Sequence, residues 1–192
     1  MHYIDEIKRY IPENEQEKLD QQLILDYLTQ HDNGLTRENV VAHLTISSWI
    51  LNQAHDRVLL AYHNIYNSWS WTGGHADGDG NLLNVAIKEA KEETGLQNIR
   101  PLSQEIFSIE SLCVNGHIKR GRYVSSHLHL NVTFLLEAND EEPLIVKEDE
   151  NKKLSWFTFE EALQAPSEEW MVEFIYQKLT HKVLAWKALG KI

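Results

Sequence analysis

Cysteine is nearly absent from this chain. A single thiol, Cys113, leaves no partner for an internal disulfide and points to a reducing compartment. Long apolar runs are missing too: nothing approaches the ~20 residues that a membrane-spanning helix requires, so a soluble protein is expected. Basic residues are in deficit, with 18 Lys and Arg against 29 Asp and Glu and a net charge of -11. That balance argues against a nucleic-acid polymer as partner, because phosphate backbones attract clustered cations. A small phosphate-bearing molecule is compatible with it, since a bridging divalent ion and a few local cations can hold such a ligand. The opening MHYIDEIKRYIPENEQEK has neither the apolar core of a secretory signal nor the acid-poor character of a transit peptide, so a cytoplasmic location is expected. A length of 192 residues suits one domain with a substantial core.

What is present is concentrated in Gly73 to Leu96, GGHADGDGNLLNVAIKEAKEETGL. Leu82, Leu83, Ala86, Ile87 and Ala90 recur at three- and four-residue intervals and predict an amphipathic helix. Asn81 or Asp79 is the expected N-cap, and Gly95 the expected left-handed end. On the polar side Glu89, Glu92 and Glu93 crowd one another, and uncompensated carboxylates at that spacing repel. A hard divalent cation relieves the conflict, and Mg2+ binds through carboxylates together with substrate phosphate oxygens. Gly73, Gly74, Gly78 and Gly80 ahead of the helix permit close backbone approach to a ligand.

From Gly74 onward, with Lys88-Glu89-Ala90-Lys91-Glu92-Glu93-Thr94-Gly95-Leu96 at the matching distance, this stretch resembles the signature box of the Nudix hydrolases. Two positions depart from that pattern: Lys88 replaces an arginine and Gly80 replaces the first glutamate. Ala90 is also small for its position. The resemblance implies an α+β fold with a mixed sheet between helices, over residues 39–192, preceded by an N-terminal helical extension over 1–38. It implies Mg2+, with Mn2+ as a substitute, held by Glu89, Glu92 and Glu93, with Gly74 contributing backbone contacts. Lys88 would orient Glu89, supplying the charge of the family's arginine but not its planar fork. A loop carboxylate, Glu148 or Glu150, would accept the proton of the attacking water. Asp77 and Asp79 lie close enough in sequence to stand in for the carboxylate missing at Gly80, although turn and capping duty is the simpler reading.

Elsewhere, residues 1–30 read as two helical pieces broken at Pro12, followed by strands from Val40 to Leu51 and Val58 to Tyr62 in a hairpin. Trp69 and Trp71 are read as core packing ahead of a base-stacking role, and Tyr62 and Tyr66 carry the same two readings. His127 to Leu136 alternates as a strand, with Leu128, Leu130, Val132, Phe134 and Leu136 on one face. On the other face His127, His129, Asn131 and Thr133 would line a cleft, where His127 and His129 are substrate contacts. The two histidines suggest zinc only weakly, because no third soft ligand is spaced with them. His117, Lys119, Arg120 and Arg122, with Gly116 and Gly121, form a basic loop in which Arg120 and Arg122 are candidate phosphate contacts. A short helix is expected after Thr158, ended by Pro166, and a last amphipathic helix runs from Ser167 and Glu169 to about Leu189.

The leading expectation is a Mg2+-dependent hydrolase that splits a phosphoanhydride in a nucleoside diphosphate linked to another moiety. Its rival is a catalytically weakened domain of the same fold that binds a nucleotide for regulation. A third reading, a prenyl diphosphate isomerase, would need Cys113 as catalytic thiol, and a buried apolar cysteine explains that residue equally well. The N-terminal helices leave three roles open: capping the domain, covering the cleft, or contacting a second copy in a homodimer.

Overall fold

Pro12 separates two N-terminal helices in the computed structural model, which describes residues 3–65, 67–119, 121–147 and 151–192. They are α1 (Tyr3–Arg9) and α2 (Glu15–Gln30). Asn14 caps α2 by accepting from the Glu17 amide at 2.8 Å. After them come β1 (Ala42–Asn52), β2 (Arg57–His63), β3 (Ser68–Ser70), β4 (Thr72–His75) and α3 (Leu82–Thr94). The chain continues through β5 (Ile99–Pro101), β6 (Ser108–Val114), β7 (His117–Lys119), β8 (Arg122–Val124) and β9 (His127–Ala138). It closes with β10 (Asn151–Thr158), α4 (Phe159–Gln164), α5 (Glu169–Met171), a π-helical turn at Val172–Tyr176, and α6 (Gln177–Ala188).

Strands β10-β2-β1-β9-β5 lie in that order in one sheet, with β3 on β2, β4 on β1 and β6 on β9. The sheet is mixed. β2 runs antiparallel to β1, β3 and β10, and β9 antiparallel to β5 and β6. β1 and β9 run the same way: the Leu128 amide donates to the Val41 carbonyl, and further along both strands Asn131 meets Thr45 and Ser47. No helix among the described residues is long and apolar enough to cross a membrane.

Two compact units make up the chain. The first is built from the chain up to Ser47, Gly73–Ala86 and Glu105–Phe134. Here α2 lies along β6, where the Gln16 side-chain amide donates to the Ile109 carbonyl at 3.2 Å and Asp20 accepts from the Ser111 amide at 3.1 Å. Ile7, Ile24, Leu44, Ile46, Ile109 and Leu130 are among its fully buried side chains. The polar face of β9 does not line an open cleft in this unit. Asn131 and Thr133 are buried and bond to the buried Glu110 of the neighbouring strand β6, a partner that alternation along β9 alone does not reveal. The expected basic loop is a two-stranded ribbon of β7 and β8, pairing Lys119 with Arg122; Arg120 lies outside the described residues. Cys113 is exposed rather than buried, because on β6 it points away from the side on which its neighbour Val114 is buried.

The second unit comprises Ser48–Thr72, Ile87–Gln104 and Leu135–Ile192. Trp49 and Tyr176, both fully buried, stack with ring centroids 5.6 Å apart, and Trp71 meets Tyr176 edge-on at 5.7 Å. Trp69 packs edge-on against Tyr62 and Phe157. Both tryptophans therefore have packing partners, while Tyr66 lies outside the described residues. Thr158 and Glu161 form a capping box that starts α4. The last amphipathic helix is interrupted: α5 passes through the π-helical turn before α6, and Ser167 donates its amide to the Ser68 hydroxyl at 2.9 Å without capping α5.

Gly95 ends α3 with φ +76, and a Cβ there would come within 2.5 Å of the Ile145 Cβ. Gly95→Ala therefore combines left-handed strain with overpacking, an expected loss of about 2 kcal/mol. Thermal unfolding should show a Tm lower by about 4–8 °C.

Candidate active site

The α3 stripe agrees with the expected one in part: Leu82, Ala86 and Ala90 are buried, Val85 joins them, and Leu83 and Ile87 are only partly buried. Asn81 supplies the cap, accepting from the Asn84 amide, and Asp79 in turn accepts from the Asn81 amide. Asp77, at φ 47, is engaged by Arg37 through both oxygens, with Nε 2.8 Å from Oδ1. Asp77 and Asp79 thus do turn and capping work in the first unit. A Cβ on Gly80 would meet Tyr3 Cδ1 at 3.5 Å, so the N-terminal helix packs beside the position where the box pattern has its first glutamate.

In the second unit, Lys88 sits between two carboxylates. Its Nζ lies 3.5 Å from Glu89 Oε1 and 3.6 Å from Glu92 Oε1, and Lys147 Nζ reaches Glu92 Oε2 at 3.8 Å. The anions raise the pKa of the exposed Lys88, Glu89 contributing most. Burial raises the pKa of Glu89, an effect that Lys88 opposes and Glu92 reinforces. Glu92 is exposed, whereas Glu93 is only 4% exposed. The Asn151 side-chain amide donates to Glu93 Oε2 at 2.8 Å, and that asparagine is itself buried. No signal in the sequence pairs Glu93 with Asn151, because the contact spans 58 positions and joins a helix to a strand start. Lys147 was equally invisible.

Three oxygen donors on one helix, one of them half-buried at a cost to its charged form, suit a hard cation. A planar or soft ligand set is lacking in this group. Glu148 and Glu150, the expected proton acceptors, lie outside the described residues, as does Arg120. Arg122 is exposed on β8, Gly74 lies in β4, and His127 and His129 begin β9, all in the first unit.

A family model for the NUDIX domain matches residues 41–177. The chain belongs to the Nudix family, and it is a pyrophosphohydrolase of that type, a class that works with divalent metal. Among solved structures it is similar to a NUDIX-family hydrolase from Clostridium perfringens, with 21% identity and a TM-score of 0.54, covering 74% of this chain and 97% of the other. It is also similar to a C. elegans Ap4A hydrolase in a binary complex, with 18% identity and a TM-score of 0.50, covering 76% and 97%. These likenesses show the shared fold. Comparison with curated proteins finds no match.

Proposed function

We propose that this chain is a Mg2+-dependent hydrolase that cleaves a phosphoanhydride bond in a nucleoside diphosphate linked to another moiety, with Mn2+ able to replace Mg2+. The observation that carries the reading is the α3 carboxylate group, in which Glu89 and Glu92 share one exposed lysine and Glu89 is half-buried at the expense of its charged form. Glu89, Glu92 and Glu93 would hold the metal. Bound there, it would neutralise diphosphate charge and lower the pKa of a coordinated water.

The remaining roles belong to the chain's own residues. Lys88 balances Glu89 and Glu92 and keeps Glu89 oriented, as a point charge rather than a fork. Asn151 holds the Glu93 carboxylate in place through its donated hydrogen bond. Gly74 offers main-chain contacts, Arg120 and Arg122 meet substrate phosphate, and Glu150 takes the proton from the attacking water. His127 and His129, expected from the sequence to contact substrate, are packed with His43 and His75 and are not given that role in this reading. A nucleotide derivative as substrate agrees with the similarity to an Ap4A hydrolase. The acidic surface agrees with a small-molecule ligand rather than a nucleic-acid polymer. The domain is proposed to run over 39–192, with 1–38 as its helical extension; a cytoplasmic site of action and a homodimer are part of the same proposal.

The test is a product assay with nucleotide sugars, dinucleotides, ADP-ribose and nucleoside triphosphates, titrated with Mg2+ and with Mn2+. Metal-dependent release of a nucleoside monophosphate from at least one diphosphate-linked substrate is expected. Ligand-induced thermal stabilisation without product on any member of the panel would instead favour a regulatory binding domain.

A further inference from the structure

Four imidazoles that lie far apart in sequence come together in the first unit. His43 is on β1, His75 ends β4, and His127 and His129 open β9. One ring nitrogen from each of His43, His75 and His129 falls within 4.8 Å of the others. The rings pack tightly: His43 lies 5.1 Å from His75, 5.0 Å from His127 and 5.2 Å from His129 between centroids. His75 and His129 meet edge-on at 5.0 Å.

Hydrogen bonding fixes which nitrogens are free. His43 Nδ1 lies 2.9 Å from the Asn39 carbonyl. A carbonyl can only accept, so Nδ1 carries the proton and Nε2 keeps a bare lone pair. That Nε2 is buried with no hydrogen-bond partner among the described residues, in a residue only 4% exposed. Stranding a buried polar atom costs about 1–3 kcal/mol, so something is needed to repay it. His127 Nδ1 is likewise 2.9 Å from the Ser125 carbonyl, and its Nε2 lies 3.2 Å from His129 Nε2. The arrangement of a ring nitrogen tied to a backbone carbonyl, with the opposite nitrogen directed inward, is how metal-binding histidines are held.

We propose that His43, His75 and His129 form a transition-metal site of the zinc type, separate in its residues from the α3 glutamates, with His127 holding His129 in position. Imidazoles prefer zinc and its neighbours in the first transition row, whereas Mg2+ prefers oxygen. Around zinc at about 2.0–2.1 Å, tetrahedral ligands stand about 3.4 Å apart, so closing the set takes shifts on the order of 1 Å in the rings. Three protein ligands leave the fourth position for water. Such an ion ties β1, β4 and β9 together within the unit.

The experiment uses the full chain, stripped with EDTA and kept in excess Mg2+ so that oxygen sites are filled. Calorimetric titration with Zn2+ is expected to show one tight site per chain and a raised Tm, and Co2+ should give the intense visible bands of tetrahedral coordination. His43→Asn and His129→Asn should each weaken Zn2+ binding by more than about 100-fold, and His127→Asn by about 10–100-fold. The Glu89→Gln/Glu92→Gln double variant should bind Zn2+ as the parent does, which separates this site from the hydrolase assignment. Absence of Zn2+ uptake by the parent, lack of visible bands with Co2+, or undiminished affinity in folded His43→Asn and His129→Asn would each overturn the proposal. If the histidine variants fail to fold, the Co2+ spectrum of the parent decides alone.

Discussion

Glu89→Gln and Glu92→Gln are each expected to lower kcat/KM for metal-dependent hydrolysis by about 100-fold or more, because a metal clamp on a diphosphate contributes several kcal/mol and needs its carboxylates. Stability should move the other way. Burial raises the pKa of Glu89, so its charged form is disfavoured in the folded state. A raised carboxyl pKa means that stability is complete below the unfolded pKa and declines as pH rises through the folded one. A neutral glutamine at that position escapes the decline, so at neutral pH without metal the Glu89→Gln protein should melt no lower than the parent. Steady-state kinetics with Mg2+ alongside metal-free thermal melts checks both halves. Unchanged turnover in both variants would refute the ligand assignment, whereas lost turnover with a depressed melt would mean that folding had been damaged.

Local chemistry was legible in advance where it depended on spacing within one element. The stripe through Leu82, Ala86 and Ala90 and the helix start after Thr158 follow from the local pattern, whereas Glu93, read with Glu89 and Glu92 on the polar side, lies on the buried side of α3 beside Ala86 and Ala90. Alternation along β9 correctly placed Asn131 and Thr133 on one face, but alternation names a face and not what covers it. Glu110 shares that face from the neighbouring strand β6, directly opposite Asn131. For the same reason the His127–His129 pair gave no view of His43 and His75, which reach it only when β1 and β4 fold beside β9. The Asn151 contact to Glu93 belongs to this class too. The π-helical turn before α6 had no counterpart in the amphipathic pattern, and the structure offers no physical account of it.

The buried polar network across β1, β9 and β6 carries the second large prediction. Asn131, 1% exposed, accepts from Thr45 Oγ1 at 3.0 Å and Ser47 Oγ at 2.9 Å through one oxygen. Its amide nitrogen donates to Glu110 Oε2 at 2.8 Å and to Thr133 Oγ1 at 3.1 Å. Glu110 is fully buried and also bonds to Ser108, whose hydroxyl lies 3.0 Å from the equally buried Glu17 of α2. One asparagine therefore joins β1, β9 and β6, and Ser108 carries the chain of contacts on to the N-terminal extension. Asn131→Leu matches the volume but removes the acceptor of two buried hydroxyls and one of the donors to Glu110 Oε2, which Thr133 still serves, so a loss of about 3 kcal/mol is expected. Asn131→Asp keeps the acceptor for Thr45 and Ser47 yet sets a second carboxylate against Glu110 Oε2 in place of a donor. At neutral pH it should be the more damaging change, because two buried anions then face each other. Repulsion raises the pKa of the introduced carboxyl, so its penalty applies above the unfolded Asp value of about 3.9 and shrinks as pH falls toward it. Urea unfolding of both variants across pH 4 to 8 separates the cases: the leucine cost should stay nearly constant, and the aspartate cost should grow with pH. Equal pH dependence in the two would mean that Glu110 is not the group that Asn131 satisfies.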